Sequence, residues 1–166
     1  MLRTAAALAL LVGLAAPSAD AATVVLDGDT ATGILDVEVT GFALPFNVDF
    51  VSGEALDVYA AGFFGVDTEA EAEAATDAIV AALNADGNAT GVGPSDDFSF
   101  LLGYEFFSDA SGENVVQTVA LFSAFDGEWF LSATDSEGAA NVPATFAALT
   151  PVPVPAALPL LGSAVA

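Results

Sequence analysis

Beyond Arg3 this chain has no positively charged side chain: one Lys or Arg stands against 23 Asp or Glu, with no His. From residue 4 onward no carboxylate can find a side-chain counter-ion, so any fold must keep its acids at the surface and in water. The formal net charge of −22 repels itself in the compact state unless salt or bound cations screen it. The same deficit excludes much of chemistry. With no Cys either, there can be no Ser-His or Cys-His nucleophile, no lysine Schiff base and no His/Cys zinc site. Nucleic acid and anionic lipid are excluded as partners because both are held by basic contacts. Cations and neutral glycans remain.

Residues 1–21 read as a secretory leader. Arg3 supplies a positive start, Ala5 to Ala16 an apolar run, and Pro17-Ser18 a break. Ala19-Asp20-Ala21 then supplies small residues at the recognition positions, which puts cleavage between Ala21 and Ala22. The apolar run is shorter than the roughly 20 residues of a stable membrane span. The expected destination is outside the cytoplasm, at the cell surface or in the medium. Loss of the leader removes Arg3 and Asp20 together, which leaves the side-chain charge unchanged at −22.

A hydrophobic fraction of 55% with 13 Phe is enough for a packed core and argues against an acidic disordered chain. Residues 22–149 have the length of one domain. Within it, Ile34 to Val39 and Phe46 to Phe50 alternate with period two, placing Leu35, Val37 and Val39 on one buried face and Phe46, Val48 and Phe50 on another. Thr40 to Pro45 between them predicts an antiparallel hairpin. Thr68 and Glu71 form a capping box ahead of an Ala-rich stretch, with Ala72, Ala75, Ile79 and Leu83 on one stripe and Asp86-Gly87 as a stop. Phe98 to Phe107, Val115 to Phe125 and Glu128 to Thr134 read as strands, the last two joined by an Asp126-Gly127 turn. The expected order is β-β-α-β-β-β. This is an α+β domain, mostly antiparallel sheet with one amphipathic, Ala-rich helix at about residues 68–84.

Only oxygen-bearing side chains are left for a site, and they suit hard cations. Asn84-x-Asp86-x-Asn88 has the alternate spacing that opens an EF-hand loop, but Ala89 stands where the glycine belongs and Ser95 where the closing glutamate belongs. Asp27-x-Asp29 meets Ala31 at the third ligand position. The ridge of Glu69, Glu73 and Asp77 reads as a solvated acidic face rather than a cation site. Trp129 and Tyr104 lie in apolar strands, where such rings are more often core than sugar platforms. Two nearby carboxylates could hydrolyse a glycoside, yet with 23 of them proximity is expected by chance. No catalytic residue, metal ligand or cofactor is assigned.

The C-terminal run Thr150-Pro151-Val152-Pro153-Val154-Pro155-Ala156 is Pro-rich and leads into the apolar Ala157 to Gly162. Val152, Pro153, Val154, Pro155 and Ala156 resemble the Val-Pro-Leu-Pro-Ala signature of bacterial proteins with a PEP-CTERM-like sorting domain, with Val154 in place of Leu. Such tails comprise the motif, a membrane helix and an Arg-rich cluster. The resemblance implies recognition by an exosortase-type membrane protease, transient anchoring in the inner membrane, and delivery to the cell surface or exopolysaccharide matrix. It also implies that the reading frame continues past Ala166. The expected protein is therefore a non-enzymatic exported surface or matrix protein, with residues 150–166 a stalk and the start of a sorting tail. Exopolysaccharide or divalent cations are conceivable ligands. The rival readings are a Ca²⁺-dependent, glycan-directed binding module and a secreted carboxylate-dependent glycoside hydrolase.

Overall fold

A computed structural model describes residues 21–153 apart from 61–62, 111, 113 and 124–126. Strands β1 (Thr23–Asp27), β2 (Thr30–Val37) and β3 (Phe46–Gly53) precede a one-turn helix α1 (Ala55–Val58) and the long helix α2 (Glu69–Asp86). Then come β4 (Gly91–Val92), β5 (Ser99–Ser108), β6 (Asn114–Ser123), β7 (Trp129–Ala139) and β8 (Ala144–Pro151). The sheet order is β1-β2-β3-β8-β5-β6-β7, with β4 beside β2. Pairing is antiparallel except at β5–β8 and β2–β4. The fold is α+β with one main helix, as the periodicities predict.

Helix α2 forms where its caps require. Thr68 Oγ1 accepts from the Glu71 N–H (3.3 Å), while the Glu71 carboxylate reaches back to the Asp67 N–H (2.8 Å). The return bond thus falls one residue before the cap, and still satisfies a backbone donor at the helix start. Gly87 closes the other end at φ 68°, its N–H bonded to Leu83 O, at the expected Asp86-Gly87 stop, so the helix runs to Asp86, two residues past the expected bound of about 84. The stripe Ala72, Ala75, Ile79 and Leu83 is fully buried. Because α2 touches β1 and β2 as well as β5, β6 and β7, the two ends of the sheet curl toward one helix. One continuous core results.

Phe46, Val48 and Phe50 are buried as predicted. In β2 the alternation is broken. Ile34 is buried and Leu35 is 43% exposed, the reverse of the expected face, yet Val37 and Val39 point inward. The β2–β3 register shifts between Ile34 and Val37, and Asp36 sits at φ 56°. An extra residue at this bulge restores the inward face, and Asp tolerates the left-handed region better than most residues. The Asp36 N–H released from the ladder donates to Asn47 Oδ1 (3.2 Å).

Three strands were not legible as such: β1, β4 and β8. Strand β8 is the most consequential, since it lies between β3 and β5 and joins the two halves of the sheet. It reaches Pro151, paired with Phe46, and Val152 N–H then bonds Pro45 O (2.9 Å). The folded region therefore extends two residues past the boundary read at 149.

The β5–β8 seam is pinned by a side chain. Its ladder has one register pair, Leu101 with Phe146. Beyond it the Tyr59 hydroxyl donates to Ala147 O (2.9 Å) and accepts from the Gly103 N–H (3.0 Å). Tyr59 is buried against Phe64 and Phe146. A Cβ on Gly103 would come within 2.8 Å of the Tyr59 ring, so only glycine lets the ring enter. Burial pushes the phenol well above its ordinary range, so it stays protonated and serves both strands.

Candidate functional site

The polar groups of the fold converge around the turn after β4. Strand β4 lies parallel to β2, with Thr90 N–H on Asp29 O and Gly93 N–H on Ala31 O (both 2.9 Å). Gly93-Pro94-Ser95-Asp96 then reverses the chain, closed by the Asp96 N–H on Gly93 O (3.2 Å). Pro94 fits the second position of such a turn. Asp96 lies at φ 53° and folds its carboxylate over Gly91, where a Cβ would collide with it. There it accepts from Thr30 Oγ1 (2.6 Å), which ties the turn to the β1–β2 hairpin.

Asp97 points the other way. Its Oδ2 accepts from Thr145 Oγ1 of β8, and Ser52 Oγ of β3 lies 2.8 Å from the same Thr145 oxygen. With the Thr145 proton given to the carboxylate, Ser52 donates to Thr145. Ser52, Ser95, Asp97, Ser99, Thr145 and the apolar Leu101 and Pro143 line an open cleft of about 390 Å³. Two consecutive aspartates thus tie β2, β3 and β8 to one turn. This is an all-oxygen site. Hydroxyl-rich neutral molecules or a hard cation are what such a lining can contact.

The residues singled out from sequence are placed as follows. Asn84 does not face Asp86 and Asn88 as a ligand set requires. Its amide clamps the Trp129 backbone, accepting from the N–H (2.8 Å) and donating to the carbonyl (2.9 Å). Asp86 Oδ2 accepts from the Asn88 N–H (3.1 Å), an Asx turn at the helix exit. Asp27 and Asp29 flank Gly28, which has φ 68°, in the tight β1–β2 turn, where Asp27 pairs with Thr30. Trp129 and Tyr104 are buried, and the indole N–H donates to Ala89 O (2.9 Å). Neither ring offers an exposed sugar platform.

Ala21 and Ala22, expected from sequence to flank the cleavage point, line a notch of about 270 Å³ with Asp36 of β2, Glu38 just after it and Ala78, Ala81 and Ala82 of α2. Of the C-terminal motif, Val152 and Pro153 follow directly from β8, while Val154, Pro155 and Ala156 lie outside the described residues. The Asp96–Thr30 and Asp97–Thr145–Ser52 bonds were missed from sequence. Their partners are 48 to 93 residues apart, and the one local signal was Gly-Pro-Ser-Asp, which marks a turn. Comparison with family models, with curated proteins and with solved structures finds no match to this chain.

Proposed function

We propose that this is a non-catalytic exported protein of the cell surface or extracellular matrix, delivered through Val152 to Ala156. The observation that carries the reading is the polar inventory of the domain. From residue 4 onward no side chain is a nitrogen base or a thiol. The oxygen groups brought together at the β4 turn are bonded to one another across strands. The motif supports delivery by its position: it begins directly after β8, where the Val152 N–H bonds Pro45 O. In sequence, Pro153 and Pro155 disfavour helix and ladder and favour the extended form a protease binds.

The test is cell fractionation of the natural gene product. The parent protein is expected outside the inner membrane. Pro153→Ala with Pro155→Ala should leave it retained there, with the melting temperature of the domain unchanged. Unaltered release of the double variant would refute sorting through this motif.

The cleft of Ser52, Ser95, Asp97, Ser99 and Thr145 favours a second reading, a Ca²⁺-dependent or glycan-directed binding module. It requires millimolar CaCl₂ to raise the melting temperature beyond NaCl of matched ionic strength, and Asp97→Asn to remove that increment.

A further inference from the structure

The notch at the start of β1 joins two facts that stand apart in the sequence. The β1–β2 register pairs Thr23 with Leu35, which sets Ala22 beside Asp36 at the bulge. Asp36 and Glu38 line the same notch as Ala22, and α2 closes it with the small side chains of Ala78, Ala81 and Ala82. From residue 22 to 166 there is no Lys, Arg or His. The sole cation this stretch can carry is an α-ammonium on Ala22.

We propose that the notch is a binding site for the α-ammonium group of Ala22, formed when the leader is removed. The inference rests on the reading of Ala21–Ala22 as the cleavage point. Hydrolysis adds one water across that peptide bond: Ala21 leaves with the new carboxylate, and the amine of Ala22 takes up a proton. Ala21 is itself part of the notch wall, its carbonyl accepting from Thr23 Oγ1 (3.4 Å). Its departure opens the space beside Asp36 and Glu38 and puts a positive charge next to it. An uncharged amide becomes the one counter-ion in an acidic domain, placed where the chain enters the edge strand of the sheet. Maturation thereby fastens the end of β1, and the uncleaved precursor lacks that tie.

The charged groups around the notch are few. Strand β2 supplies Asp36 and, just past its end, Glu38; α2 supplies alanines with Asp77 as the neighbouring exposed carboxylate, and β3 supplies neutral Asn47 on the Asp36 N–H. A nearby opposite charge favours the ammonium and raises its pKa above the ordinary range of about 7.7–8.0. The stabilisation is therefore fully present below that range and is lost as pH rises through the raised value.

The experiment uses the chain beginning at Ala22, with the α-ammonium titration followed by NMR. Its midpoint should lie about one pH unit above that of Asp36→Asn/Glu38→Gln. Asn is chosen at position 36 because it also tolerates positive φ. The charge-matched control Glu54→Gln/Asp57→Asn, at the cap and in the turn of α1, should leave the midpoint nearly where the parent has it. Equal midpoints in all three chains, or equal falls in both variants, would overturn the proposal in favour of the general field of the protein. Acetylation of Ala22 gives an independent arm that needs no substitution. The acetylated chain should melt lower than the free one at pH 7 and equally at pH 10, whereas equal melting at pH 7 would overturn the proposal. N-terminal sequencing of the exported protein tests the cleavage point by itself, so failure there is distinct from failure of the notch.

Discussion

At the scale of single residues, Tyr59 does work that its position after a one-turn helix does not announce. Its hydroxyl replaces a rung of the β5–β8 ladder, and its ring fills the space that Gly103 leaves. Tyr59→Phe keeps the packing and strands one buried N–H and one carbonyl. Each unsatisfied buried group costs about 1–3 kcal/mol, so a loss of about 2–6 kcal/mol is expected in urea unfolding, with the slope unchanged. A loss below about 0.5 kcal/mol would show that the seam holds without the hydroxyl. Asp36 is a second such residue. Alternation predicts Leu35 inside, and a single left-handed residue moves Leu35 out and Ile34 in. A bulge leaves no mark on hydrophobic period beyond the ambiguity of adjacent apolar residues such as Ile34 and Leu35.

At the scale of elements, what could be read from sequence divides by the range of the forces involved. Helix α2 was legible because its determinants are local: a cap at Thr68, a return contact from Glu71, a four-residue stripe and Gly87. Thr68→Ala should cost about 1 kcal/mol, read as a lower urea midpoint, while Ser95→Ala at the exposed turn should cost little. Equal effects at the two positions would mean that the cap is not what starts the helix. Strand β8 was not legible because Ala144, Ala147 and Ala148 are poor strand formers in isolation. They are suited here by the tight seam against Tyr59 and by pairing with both β3 and β5. Strands β1 and β4 are short and take their ladders from β2, with β4 adding a bridge from Val92 to Asp97. The cleft at the β4 turn was hidden for the same reason. Its aspartates were visible, but their partners Thr30, Ser52 and Thr145 arrive from three other strands.

At the scale of the whole molecule, an apolar core is surrounded by a surface of one sign. Among the described residues the buried polar side chains are Thr76, Thr118 and Thr145, and no carboxylate is among them. The carboxylates are thus hydrated, and their cost is mutual repulsion rather than desolvation. That cost falls as the Debye length shrinks from about 30 Å at 0.01 M salt to about 4 Å at 0.5 M. A domain built this way is expected to be most stable in saline surroundings, with its stability set by ionic strength.

The direct measurement is the melting temperature of the Ala22–Ala166 chain from 0.01 to 0.5 M NaCl at pH 7, with CaCl₂ at matched ionic strength as the companion series. An increase of several degrees that levels off near 0.5 M, and is shared by both salts, is the result this account predicts. A melting temperature that stays flat across the NaCl series would contradict it.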